Sequence, residues 1–186
     1  MTKHIMVDLE TMGTGSFAPI ISLGATLFDP NVYDKKVISS FEARISLKSN
    51  ATFGLISEAD TIDWWMENTR DDARRELNKQ EKLDLVDVLH GFRQWVSDTE
   101  EGYDEVAVWG NGVTFDNGIL SNAYGRCDMA RPWSYKGDRC FRTMKNLVGP
   151  NFKPVQYGTP HRSLHDAISQ AFTLKKIVKK LGLVIP

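Results

Sequence analysis

No stretch of this chain approaches the ~20 consecutive apolar residues that a membrane-spanning helix needs, and Met1-Thr2-Lys3-His4 leads into a strand-like segment instead of a signal sequence. The expected setting is the cytoplasm. Cysteine is scarce: Cys127 and Cys140 are too few and too widely spaced for a disulfide framework or a four-cysteine zinc site, so free thiols are expected. Charge of one sign is lacking too. With 23 Lys and Arg against 24 Asp and Glu, the net charge of −1 argues against the broad basic surface of a protein that tracks phosphates nonspecifically. The chain holds no G-x-x-x-x-G-K-[ST] loop, which speaks against ATP use, and no H-E-x-x-H zinc motif. It shows no repeat, low-complexity tract or linker. At 186 residues and 41% hydrophobic content it is long enough for one domain, 1–186, with a substantial core.

The remaining pattern reads as α/β. Residues 5–9, 20–28 and 37–45 are strand candidates separated by a Gly-rich loop and an Asp-Pro-Asn turn, which suggests an antiparallel meander. Helices are expected over 59–77 and 82–97, the second with Leu85, Val88, Leu89, Phe92 and Val96 at helical spacing. A short apolar strand at 106–109 precedes a Gly-Asn-Gly turn signal and a helix over 115–124. A Gly/Pro-punctuated region, 126–160, follows, with a flexible loop expected within 135–160. The last helix is expected over 164–181. Its Lys175, Lys176, Lys179 and Lys180 read as a solvated face beside the apolar Leu174, Ile177, Val178 and Leu181.

Three short segments place acids where bare packing would not. In VDLET, Asp8 and Glu10 are two apart, so a strand would point both to one face, where they repel and lose hydration. A divalent cation would remove both objections, and oxygen ligands of this kind suit Mg2+ or Mn2+ better than Zn2+. The plainer alternative is an acidic edge strand. In NGVTFDN, Asp116 falls near a strand-to-helix junction, where ligand groups collect in α/β folds; alternatively it favours the positive end of a helix. In HRSLHD, Ser163 and Asp166 have capping-box spacing, in which Asp166 would reach back to the Ser163 backbone and His161 would be an ordinary loop histidine. The functional alternative turns Asp166 toward the other acids and uses His161 as a general base near neutral pH.

As an ordered set, D-x-E, the F-D segment and H-x-x-x-x-D resemble the DEDD family of 3′-5′ exonucleases, in its histidine-bearing (DEDDh) branch with the proofreading subunit of DNA polymerase III, RNase T and oligoribonuclease. Asn111 departs from that pattern: it precedes Asp116 by five positions, one more than in the commonest form, and is assigned no role. WGNGVTFDN, Thr61 to Trp65 (TIDWW), Pro132-Trp133, Phe141 to Thr143 (FRT) and HRSLHDA are similar to phage exonuclease A and a related bacterial exoribonuclease group.

The resemblance implies an RNase H-like fold. It implies two divalent metal ions, Mg2+ or Mn2+, held by Asp8, Glu10, Asp116 and Asp166, with His161 as general base and Glu10 also orienting the attacking water. The substrate it implies is single-stranded nucleic acid with a free 3′ end, DNA favoured over RNA, released as nucleoside 5′-monophosphates. Leu9, Thr11, Met12 and Phe115 are candidate contacts to the terminal nucleotides, and Arg142 to a phosphate. A phage-borne gene would place the protein in the host cytoplasm; pairing among relatives leaves a homodimer open. Core packing is the alternative for Trp64 and Trp65, and a solvated surface for Arg139 and Arg142. Two other classes compete: a nucleic-acid-binding module without catalysis, and a zinc hydrolase using His161 and His165 at i, i+4.

Overall fold

A computed structural model describes residues 2–67, 71–98 and 105–186, the Glu76 side chain excepted. Six strands form one sheet: β1 (Thr2–Thr11), β2 (Ile20–Phe28), β3 (Ser39–Ile45), β4 (Lys82–Leu83), β5 (Glu105–Gly110) and β6 (Asp138–Cys140), in the order β4-β3-β2-β1-β5-β6. β1, β2 and β3 pair antiparallel, the meander expected from sequence; β4, β5 and β6 join in parallel. The helices are α1 (Leu47–Thr52), α2 (Ala59–Met66), α3 (Asp71–Asn78), α4 (Leu85–Asp98), α5 (Gly118–Arg126), α6 (Phe141–Asn146) and α7 (Ser163–Leu181).

Strand alternation divides the core. Ile5, Val7 and Leu9 pack with Leu85, Leu89, Phe92, Ile119 and Leu120 of α4 and α5. The intervening Met6 packs on the opposite face with Ala167, Ala171 and Leu174 of α7. Asp8 and Glu10 continue that second face. β5 pairs with β1 only from Thr2 to Met6, so the two acids lie beyond the paired stretch, beside the place where β5 ends and the chain turns toward Asp116. Opposite them on β2 stand Gly24 and Ser22. A Cβ at Gly24 would sit 2.2 Å from the Ser163 and Leu164 backbone, so the missing side chain admits the first turn of α7 against the sheet.

Several sequence expectations are corrected. The helix expected over 59–77 ends at Met66, and Glu67 is extended (φ −60°, ψ 141°); α3 begins at Asp71, with 68–70 outside the described residues. Arg74 of α3 donates to the Trp65 and Glu67 carbonyls, satisfying backbone oxygens that the interrupted helix leaves open. The helix expected over 82–97 starts at Leu85 instead, because Lys82-Leu83 pairs with Arg44-Ile45 as β4. The strand expected over 37–45 begins at Ser39. In the expected flexible loop before His161, three backbone N–H groups bond to α7 side chains: Val155 N–H to Thr173 Oγ1 (2.9 Å), Tyr157 N–H to Ser169 Oγ (2.9 Å) and Thr159 N–H to His165 Nδ1 (2.8 Å).

The lysines of α7 do not form a uniformly solvated face either. Lys175 is buried, with Nζ donating to Asp34 Oδ1 and the Lys36 carbonyl, both at 2.7 Å. The β2–β3 loop supplies the counter-charge that lets an ammonium enter the interior. Lys179 lies over the Tyr33 ring at 4.2 Å, and Lys176 over Phe152 at 4.9 Å. Both cysteines are free thiols. Among the described residues, no helix is long and apolar enough to cross a membrane.

Candidate active site

Four elements bring the sequence-flagged residues together. β1 supplies Asp8 and Glu10. The end of β5 leads into a π-helical turn, Val113–Asn117, which carries Asp116. A π turn holds one residue more than an α turn, and it accommodates the extra residue noted between Asn111 and Asp116 while still aiming the carboxylate at β1. Asp116 Oδ1 accepts the Leu9 N–H at 3.3 Å. α7 supplies Asp166, and the residues just ahead of it supply His161.

The capping-box expectation fails in its details. Arg162, not Ser163, is the N-cap residue, and no side chain caps the helix. Asp166 Oδ2 instead accepts the backbone N–H of His161 at 2.7 Å. This bond supports His161 in a left-handed conformation (φ 58°), which is uncommon outside glycine and concentrates at functional sites. Ser163 Oγ meets Ser22 Oγ at 2.7 Å, and Arg162 clasps Glu42 of β3 with Nε to Oε1 at 3.0 Å and Nη2 to Oε2 at 2.8 Å. The start of α7 is therefore pinned to β2 and β3 by the two residues that directly follow the histidine. The sequence shows neither clamp, since each joins residues more than a hundred positions apart.

Ligand atoms of Glu10, His161 and Asp166 lie within 4.8 Å of one another. With Asp8 they line a cleft of about 340 Å³. Asp116 does not line the cleft but lies buried beside it, close enough to repel Asp8: it is 2% exposed, and its Oδ2 has no hydrogen-bond partner. Burial, with Asp116, Glu10 and Asp166 adding repulsion, pushes the Asp8 carboxyl well above the usual carboxylate range. Glu10 is pushed up to about 8 by burial, with Asp166 and Asp116 contributing. Asp116 rises to about 7 by burial, although the Leu9 and Asn111 N–H groups and the Arg142 guanidinium oppose it. Asp166 is raised by burial against the His161 N–H. Crowded, buried carboxylates with an unpartnered oxygen fit a divalent cation, and a donor set of carboxylate oxygens fits a hard one. The zinc-pair alternative is not favoured: His161 precedes the helix, and His165 Nδ1 is engaged by Thr159.

A pH dependence follows. In the metal-free fold these acids hold protons that the unfolded chain, with carboxyl pKa values near ~4, has already released. The native state then binds more protons, so stability falls as pH rises, by about 1.4 kcal/mol per unit for each carboxyl still protonated in the fold. His4 acts in the opposite direction. Burial lowers it to about 4, and its Nδ1 accepts from Trp109 Nε1 at 3.1 Å, so its contribution is complete above ~6.5 and is lost below. Between pH 6.5 and 8 the His4 contribution is constant, and the carboxyls set the trend. Melting curves in chelator should show Tm falling across that window, and Mn2+ should raise Tm more at pH 8 than at pH 6.5.

The candidate substrate contacts divide. Leu9 lines the cleft. Thr11 is buried, its hydroxyl bonded to the Gly13 carbonyl at 2.7 Å and its own carbonyl to Trp65 Nε1 at 3.0 Å. Met12 packs with Ile21, Trp65 and Ala73, and Phe115 is half-buried against the main core. Arg142 is anchored at the rim by the Asn111 carbonyl (2.6 Å). Core packing accounts for Trp65, whereas Trp64 meets the His161 ring edge-on at 5.1 Å. Lys145 and Gln170 also line the cleft and carry no motif by which sequence reasoning could find them.

A family profile, the Rv2179c-like 3′-5′ exoribonuclease domain, matches residues 3–178. The chain belongs to that family. It is also 29% identical over 121 residues to the exodeoxyribonuclease of Enterobacteria phage T4, covering 62% of this chain and 52% of that protein. Among solved structures, E. coli exonuclease I in its zinc-bound complex with single-stranded DNA aligns with a TM-score of 0.63 at 12% identity, over 97% of this chain and 41% of that one. The nuclease domain of 3′hExo, a DEDDh family member bound to rAMP, aligns at 0.58 and 12% identity, over 96% and 92%. These likenesses bear out the RNase H-like fold. This member of the family spans about half the length of the T4 relative and less of exonuclease I.

Proposed function

We propose that this chain is a metal-dependent 3′-5′ exonuclease that removes nucleoside 5′-monophosphates from single-stranded nucleic acid. The observation that carries this reading is the convergence of four carboxylates, Glu10 and Asp116 buried and Asp8 and Asp166 half-buried, one with an unpartnered oxygen, beside His161 in the cleft. Asp8, Glu10, Asp116 and Asp166 would hold two divalent cations, Mg2+ or Mn2+. When bound, these supply positive charge to the scissile phosphate and acidify the attacking water. Glu10 orients that water. His161, fixed by its bond to Asp166 and the edge of Trp64, takes the proton. The free 3′-hydroxyl docks near the Asp8 to Thr11 backbone, Leu9, Met12 and Phe115 wedge against the terminal bases, and Arg142 contacts a phosphate.

DNA is the first reading, supported by the similarity to the T4 exodeoxyribonuclease. RNA is the second, supported by the description of the matching family. Single-stranded DNA and RNA oligomers labelled at the 5′ end, incubated with Mg2+ or Mn2+, test both. A ladder shortening from the 3′ end is expected, and the faster ladder names the substrate. Binding without cleavage would leave a nucleic-acid-binding module.

Trp64 offers a subsidiary check. Edge-on aromatic contacts contribute about 0.5–1.5 kcal/mol, so Trp64→Ala should lower kcat by up to about tenfold. Trp64→Phe, which keeps an aromatic face, should stay close to wild type in steady-state assays.

A further inference from the structure

Gln170 sits on α7 one turn beyond Asp166 and lines the cleft. Its Nε2 donates to Asp8 Oδ1 at 2.7 Å, across 162 residues of sequence. Its other end is out of place for a residue chosen by packing: Gln170 is 9% exposed, and its Oε1 is buried without a partner. A buried, unsatisfied amide oxygen is costly, and an apolar side chain of similar shape would avoid that penalty. Ala167, Ala171 and Leu174 on the same helix are buried in an apolar cluster, so a larger apolar residue would find suitable neighbours. Native chains keep such groups where the satisfied end does something the fold alone does not need.

We infer that Gln170 is a positioning residue that fixes the rotamer of Asp8 for cation binding, at a cost to the stability of the protein. The amide holds Oδ1 from the α7 side and thereby fixes the direction in which the second carboxylate oxygen faces Glu10 and Asp116. Without this donor, a carboxylate among three others would rotate away from them, and the site would have to be reassembled each time a cation arrives. Outer partners of metal ligands of this kind contribute about 10- to 100-fold in metal affinity or activity. Gln170 itself touches neither substrate nor cation; it acts through Asp8. The inference rests on the metal-dependent exonuclease reading and deepens it.

Three measurements on wild type, Gln170→Met and Gln170→Leu test it: melting in chelator, calorimetric titration of Mn2+ into metal-free protein, and steady-state cleavage of a 5′-labelled oligomer. The two variants should melt at or above the wild-type Tm, bind Mn2+ about 10- to 100-fold more weakly, and lose kcat with KM little changed. The opposed signs of stability and activity separate positioning from a merely structural role. Mn2+ affinity and kcat within twofold of wild type would overturn the inference. So would losses accompanied in both variants by a fall in Tm of more than about 5 °C. Wild-type protein that binds no Mn2+ and cuts nothing would instead overturn the exonuclease reading, and the inference with it.

Discussion

Asp8→Asn should abolish cleavage while leaving the fold intact. Asparagine keeps the size of the side chain and an oxygen that can still accept from Gln170 Nε2, and it removes one negative charge from a cluster of four. The metal-free fold gains from that change wherever Asp8 repels Asp116, Glu10 and Asp166, so the variant should melt at or above the wild-type temperature at pH 8. Catalysis loses instead. A bound cation contributes several kcal/mol of transition-state stabilisation, so a site that no longer holds its ions correctly should fall by about 10³-fold or more. Rate and melting temperature measured on one preparation decide the matter. Retained cleavage would remove Asp8 from the machinery, and unfolding would give it a structural role.

His161→Asn should lower kcat by about 10²- to 10⁴-fold, the usual contribution of a positioned general base. Asparagine suits this position because it tolerates the left-handed backbone that His161 adopts, so the bond from residue 161 to Asp166 can persist. Only the imidazole is lost. Mn2+ affinity within a few-fold of wild type should accompany the loss of rate if His161 works on a proton. A collapse in Mn2+ affinity would make it a cation ligand beside Glu10 and Asp166, whose ligand atoms lie within the same 4.8 Å group.

The parts of the site that the sequence discloses are those governed by local period and residue type. Two acids at spacing two within an apolar strand point to one face, and the structure shows both on the side covered by α7. The meander and the final helix follow from alternation and from helical spacing over long segments. What stays hidden is set by distant partners. β4 has two residues and β6 three, too few to show a period, and each exists because a neighbouring strand offers a ladder. Lys175 looks solvated in a row of lysines until Asp34 arrives from the β2–β3 loop. The same holds for the Arg162–Glu42 clamp and for Gln170, an unremarked glutamine on a helix until the fold sets it against Asp8. The extra residue before Asp116 was visible, but its accommodation by a π-helical turn was not, because periodicity does not distinguish a π turn from an α turn over five residues.

Chelation and rescue test the central claim most directly. Protein stripped with EDTA would be given a 5′-labelled single-stranded oligomer, then Mg2+, Mn2+ or Zn2+ in turn, with Asp8→Asn alongside. The buried carboxylate cluster predicts no cleavage after stripping, and a ladder shortening from the 3′ end on adding Mg2+ or Mn2+, absent in the variant. Cleavage that survives chelation, or that returns with Zn2+ alone, would contradict it.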